Sequence, residues 1–264
     1  MKERGLEPWI GDLTDPGFER PGGHFDAVIY SAAAGREDGP AAYRMIYVEA
    51  QQRLLASFAA DRPTRWVYTG STGVYGQSDG SLVKESSPTE PGTETGAVLV
   101  QAERMLLEAA QGGFPSVILR IAGIYGPGRL HLLHAFVANQ VRIGGKGQRH
   151  LNMVHRDDVV GAVLAALRNG RAGEVYNVVD GEPVTEIHFY TWLSETLGKW
   201  VPPFGPTETD PARARGLADR RISNRRLTME LGCRLKYPSF RQGYTAEIKA
   251  LTDAGLLEIE PEKR

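Results

Sequence analysis

A single cysteine, Cys233, stands in 264 residues. No internal disulfide can form, and that usage fits a reducing compartment. No apolar run approaches the ~18 residues of a membrane helix. The opening MKERGLEPW lacks the apolar core of a signal peptide. An excess of one charge is also missing: 31 Lys and Arg against 32 Asp and Glu leave a formal net charge of −1. Nothing therefore favours a polyanionic partner. The one basic cluster, residues 213–226, reads as a solvated surface or as a local site for an anionic ligand. No internal repeat, heptad run or low-complexity tract is present. These absences describe a cytoplasmic protein with no nucleic-acid or membrane partner, and no metal is expected. The length suits one large α/β domain, or one domain with a small cap.

What is present centres on residues 65–76, RWVYTGSTGVYG. The β-branched and aromatic run Trp66-Val67-Tyr68 predicts a buried strand, and a hydroxyl-rich turn follows it. In an open parallel sheet, chemistry sits outside the carboxyl ends of the strands. Ser71 and Thr72 are therefore candidate reactive groups, or else part of a turn that simply needs small residues.

Around this stretch, strand and helix patterns alternate. Residues 7–13 (EPWIGDL) read as a short strand, 25–31 (FDAVIYS) as a strongly apolar one, 116–121 (SVILRI) as a third and 174–179 as a fourth. Ala32-Ala33-Ala34-Gly35 follows the second of these; its small side chains admit a ligand to the backbone, or merely permit a tight turn. Helices are predicted over 40–60, 93–111, 130–141, from about Asp158 to Leu167, over 185–197 with Thr185 as N-cap, and over 223–231 and 239–251. Asp157 or Asp158 suits the N-terminus of the helix ending at Leu167. Residues 78–91 and the proline-rich 202–211 read as loops. The pattern predicts a mostly parallel, doubly wound sheet, with the later third as a substrate-side cap.

Seven segments, in order, resemble the extended short-chain dehydrogenase/reductases, also called the NAD-dependent epimerase/dehydratase family. They are GDLTDP, FDAVIYSAAAG, WVYTGSTGVYG, VILRIAGIYGPGR, NMVHRDDVVGAV, VYNVVDGEPV and RRISNRRLTMELGCRLKYPSFRQGY. Within that family the likeness is to the atypical, YeeZ-like oxidoreductases. The resemblance implies a Rossmann-like α/β fold, truncated at its N-terminus. Residues 1–150 would be a partial dinucleotide-binding region, and 151–264 mostly a substrate-side cap. It implies NAD or NADP as cofactor and an oxidoreductase or epimerase acting on a hydroxyl or carbonyl carbon of a small molecule or nucleotide sugar.

The resemblance also implies residue roles. Asp12 and its neighbour Leu13 match the adenine-contacting position, though Asp12 equally suits a turn cap. Ala32 and Ala33 match the small residues on the adenosine and pyrophosphate side. Ser71 matches the catalytic hydroxyl, with Thr72 the alternative one residue on. Gly123 and Ile124 match the backbone beside the nicotinamide. Tyr125, Arg129, Asn152 and His155 match positions that contact substrate or close the cleft; His155 equally reads as a packed histidine before a helix. Related enzymes dimerise through helices that include the one at 93–111, whose apolar positions suit a homodimer or core packing alike.

Two parts of the family pattern are missing from the sequence. No glycine-rich turn follows a strand and opens a helix near the beginning, where backbone N–H groups would hold a pyrophosphate. Such a strand–helix–strand unit needs about 30 residues or more, and six residues precede Glu7. The expectation is a true start lying upstream, or a truncated gene product. The 7–13 and 25–31 strands would then pair with each other or leave apolar edges unpaired. The Tyr-x-x-x-Lys pair is missing too, with Thr95 and Leu99 at its positions. In the family that tyrosine moves a proton and the lysine lowers its pKa. Tyr75 and His155 are the nearest replacements. The remaining alternatives are a non-catalytic dinucleotide-binding or interaction protein and an inactive fragment.

Overall fold

The computed structural model describes residues 5–35, 38–205 and 219–257. Residues 213–218 of the basic cluster and 206–211 of the proline-rich loop lie outside the described residues. In chain order the elements begin with β1 (Ala27–Tyr30), α1 (Pro40–Tyr43), a π-helical segment (Arg44–Ala50), α2 (Gln51–Ser57) and β2 (Arg65–Ser71). Then come β3 (Ser81–Val83), α3 (Glu94–Gln111), β4 (Ser116–Ile121), β5 (Gly123–Tyr125) and α4 (His131–Val137). The short strands β6 (Ile143–Gly144), β7 (His150–Leu151) and β8 (Met153–His155) lead to α5 (Arg156–Asn169) and β9 (Val175–Val178). Last are β10 (Val184–Thr185), α6 (Glu186–Leu197), β11 (Phe204–Gly205), β12 (Arg220–Ile222), α7 (Arg225–Met229) and α8 (Phe240–Asp253).

The organising element is a four-stranded parallel sheet in the order β1-β2-β4-β9. Its two inner strands read as continuous apolar runs because both of their faces are covered. Trp66, Val67 and Tyr68 of β2 and Val117 and Leu119 of β4 are wholly buried. Helix α3 is fixed at its start by Thr93, whose hydroxyl accepts a hydrogen bond from Gly96 N, and it ends at Gly112. Thr185 caps α6 in the same way, accepting from His188 N. A second apolar cluster joins Leu133 and Phe136 to Phe189, Leu193, Phe240 and Tyr244.

Residues 7–13 form no strand. Leu6, Trp9 and Ile10 are exposed at 56%, 60% and 97%, and among the described residues no neighbouring backbone pairs with them. Asp12 instead closes a local turn: its carboxylate accepts from Thr14 N at 2.8 Å and from Thr14 Oγ1 at 2.7 Å. Those hydrogen bonds hold its pKa below the ordinary carboxylate value. Strand β1 is consequently an edge strand, and Ile29 on it is 47% exposed.

Three further expectations are corrected. The loop expected at 78–91 contains β3, which pairs in parallel with β12, Leu82 opposite Arg221. The N-cap of α5 is His155, not Asp157 or Asp158: His155 Nδ1 accepts from Asp157 N at 3.1 Å. The Asp158 carboxylate turns away to accept from Lys236 N at 2.5 Å and Tyr237 N at 3.0 Å. The helix predicted over 40–60 is interrupted by the π-helical segment, a form frequent at functional sites.

Candidate active site

A cleft of about 1160 Å³ opens at the carboxyl ends of β1, β2 and β4. The residues after β1 that reach it are Ser31, Ala33, Ala34 and Gly35; β2 contributes Thr69, Gly70 and Ser71. Ile121, Ala122 and Ile124 form a further wall, and Arg129 is the charged side chain among the lining residues. Tyr43 and Tyr47 face it from α1 and the π-helical segment, opposite Val159 and Val163 of α5. Small residues lie where the parallel strands end, so a flat ligand can lie against backbone there.

Ser71 is the last residue of β2 and is partly exposed to the cleft. Its Oγ accepts from Gly73 N at 3.0 Å. A hydroxyl has one proton and two lone pairs, so this contact leaves the O–H available to a ligand oxygen. Ala33, Ile124 and Arg129 share the cleft with Ser71. Ala32 lies beside it, partly buried against the core. Gly123 is exposed next to Ile124; its N–H donates to Asn152 O at 3.0 Å, and a Cβ there would lie 3.1 Å from that same oxygen.

The structure does not bring the other candidates to this cleft. Asp12 and Leu13 sit in the N-terminal turn, where the Leu13 carbonyl accepts from Arg53 Nη2 at 2.8 Å. Thr72 is buried, and its carbonyl accepts from Arg220 Nη2 at 3.0 Å. Tyr75 points into a buried polar cluster: its hydroxyl donates to Asn177 Oδ1 at 2.7 Å and accepts from Arg120 Nη1 at 2.7 Å. Burial raises its pKa even though the Arg120 charge opposes this. Tyr125 belongs to the second apolar cluster, stacked on Tyr244 with centroids 4.5 Å apart. Asn152 clips β12 in place, donating to Arg220 O at 2.9 Å and accepting from Ile222 N at 2.9 Å. His155 is 1% exposed. Because its Nδ1 accepts, Nε2 carries the proton and donates to Glu247 Oε1 at 3.0 Å.

Sequence reading missed two features. Tyr43 and Tyr47 fall inside the helix predicted over 40–60, and apolar spacing cannot say that a phenol edge lines a cleft. The buried pair Arg120–Glu103 was missed as well. Arg120 bonds Glu103 through Nη2–Oε2 at 2.7 Å and Nε–Oε1 at 3.0 Å. Burial pushes the Glu103 carboxyl up, opposed by that guanidinium. An arginine inside the apolar SVILRI was the available signal, since a buried charge requires a partner.

Whether a dinucleotide fits can be judged end by end. The Ser31 and Ser71 hydroxyls and the small side chains of Ala33 and Ala34 fit a ribose and a flat nicotinamide, whereas the Gly35 N–H is taken by the Asp38 carboxylate at 2.6 Å. For the diphosphate, the cleft offers Arg129, and no glycine-rich strand–turn–helix lies among the described residues.

Parallel strands, helices on both faces and a crevice at the strands' carboxyl ends define a Rossmann-type α/β protein. Comparison with known proteins narrows the class. The model of the NAD dependent epimerase/dehydratase family matches residues 4–179, and the chain belongs to that family. It is 34% identical over 214 residues to protein YeeZ of Escherichia coli (strain K12), covering 81% of this chain and 72% of that one. A solved structure of a functionally unknown conserved protein from Silicibacter pomeroyi superposes with a TM-score of 0.77 at 29% identity, covering 94% of this chain and 85% of the other. MoeE5, solved with UDP-glucose and NAD, superposes with a TM-score of 0.66 at 26% identity, over 82% and 74%. No described helix is long and apolar enough to cross a membrane.

Proposed function

We propose that the protein is an NAD(P)-dependent oxidoreductase or epimerase acting at a hydroxyl or carbonyl carbon of a small molecule, with nucleotide sugars the favoured class. The observation that carries this reading is the cleft shared by the Ser71 hydroxyl, the small residues after β1 and the Ile124 stretch after β4. Ser71 donates its hydrogen bond to the substrate oxygen. Ala33, Ala34 and Gly35 admit the ribose to the backbone, and Gly123 and Ile124 lie along the nicotinamide. Arg129 pairs with a phosphate, where its planar fork suits bidentate contact. A bound nicotinamide supplies or takes up hydride at the reacting carbon. The co-crystallised ligands of MoeE5 support both the cofactor and the substrate class. The cofactor is NAD or NADP.

A second reading, a non-catalytic dinucleotide-binding or interaction protein, draws on Thr95 and Leu99. Leu99 is 6% exposed and apolar, and neither residue can play the part of a tyrosine or a lysine. Two measurements separate the readings. NADH and NADPH at 100 times Kd raise the unfolding free energy by about 2.7 kcal/mol if they bind the native state alone. A panel of aldehydes, ketones and nucleotide sugars then tests turnover. Binding with turnover supports the first reading, binding alone the second, and no thermal shift at millimolar cofactor overturns the first reading and the dinucleotide-binding form of the second.

A further inference from the structure

We propose that Tyr43 is the proton donor of the cleft, giving its phenolic proton to the oxygen that Ser71 orients; this rests on the reading given above. The cleft needs a hydroxyl acidic enough to move a proton, and its hydroxyls can be taken in turn. Ser71 and Ser31 are alkyl hydroxyls, too weakly acidic for the task. Thr69 is committed, donating to Tyr30 O at 3.2 Å. Tyr47 is 9% exposed, and the backbone of Ala34 hydrogen-bonds its hydroxyl. Tyr43 is partly exposed, and its hydroxyl makes no hydrogen bond to another described residue.

Its position is also held. The Tyr43 ring packs on Tyr47 with centroids 5.2 Å apart. The next residue, Arg44, ties the segment to α3, donating from Nη1 to Gln101 Oε1 at 2.8 Å. The π-helical turns begin directly after Tyr43, a backbone form frequent at functional sites. The phenol thus stands on a braced element and faces the same space as Ser71.

In the reductive direction, as hydride reaches the carbonyl carbon, the C=O π pair moves onto oxygen. The O–H bond of Tyr43 breaks and its proton forms the new alcohol O–H. Tyr43 is left as phenolate and regains a proton from water at the cleft mouth. The oxidative direction runs the same exchange backwards, the phenolate taking the alcohol proton.

Tyr43→Phe tests this, since it keeps the ring on Tyr47 and removes the O–H alone. NADH fluorescence titration should give the same Kd for the variant and the wild type. With NADH and the carbonyl panel, kcat should fall about 100-fold or more while KM stays within about twofold. Separately, tetranitromethane nitration mapped by mass spectrometry should modify Tyr43 in the free protein, and saturating NAD⁺ should protect it. Unchanged turnover in Tyr43→Phe overturns the proposal, as does nitration of Tyr43 indifferent to NAD⁺. Loss of NADH binding in the variant overturns it too, making Tyr43 a wall of the cofactor site. A wild-type protein that binds NADH but reduces no carbonyl overturns it and leaves a binding protein. One that does not bind NADH removes the cofactor reading itself.

Discussion

Replacing Asp180 with asparagine should stabilise the protein at alkaline pH and leave it nearly unchanged at acid pH. Asp180 follows β9 and is 2% exposed. Its Oδ1 accepts from Glu182 N at 3.2 Å and the Phe240 backbone N–H adds a weaker contact to the carboxylate, while Oδ2 makes no full hydrogen bond among the described residues. Burial, more than the nearby Glu182 and Asp158 charges, pushes its pKa up to about 8 from an ordinary 3.8. The folded state therefore keeps a proton that the unfolded chain gives up near pH 4. Its contribution to stability is complete below that pH, declines as pH rises and is gone above about 8. At about 1.4 kcal/mol per pH unit, the whole window is worth at most about 6 kcal/mol. Asparagine resembles the protonated acid and does not titrate. Urea unfolding of both proteins at pH 5, 6, 7 and 8 should show the variant's advantage growing by about 1 kcal/mol or more per unit. Other titrating groups are common to both proteins and cancel. Parallel curves would refute the reasoning, showing that Asp180 is ionised in the folded state.

Arg120→Met should cost about 3–5 kcal/mol in denaturant unfolding, because it strands the buried Glu103 carboxylate; a cost below about 1 kcal/mol would mean that Glu103 is neutral. Gly243→Ala should destabilise α8 by about 1–3 kcal/mol, since the added methyl would overlap the Tyr125 hydroxyl; a wild-type melting temperature would contradict that packing. Ser71→Ala should lower kcat on the carbonyl panel by about 100-fold with NADH affinity unchanged; full activity would remove Ser71 from the chemistry. Asn152→Ala should lower the melting temperature, because two hydrogen bonds holding β12 are lost; unchanged proteolysis after residue 219 would argue that β12 needs no such clip.

The layout of strands and helices was legible where local chemistry and tertiary packing agree. Thr185 is the cap in both readings, and SVILRI is a buried strand in both. The agreement failed at residues 7–13, which read as a short strand but find no backbone to pair with among the described residues. The π-helical turns after Tyr43 were hidden because i, i+3 and i, i+4 spacing looks the same for a slightly underwound helix. Side-chain direction was the larger loss. Tyr75, Tyr125 and His155 carry the residue types that chemistry favours, yet all three are buried against partners remote in sequence: Arg120 and Asn177, Tyr244, and Glu247. Ser71 was legible because the end of a parallel strand constrains where its side chain can face.

The central claim is that one cleft holds a nicotinamide cofactor against Ser71. The most direct measurement is a crystal structure of the protein soaked with NAD⁺. The nicotinamide is predicted beside Ser71 and Ile124, with its ribose over Ala33 to Gly35. A cofactor bound elsewhere, or a cleft left empty at saturating NAD⁺, would contradict the account.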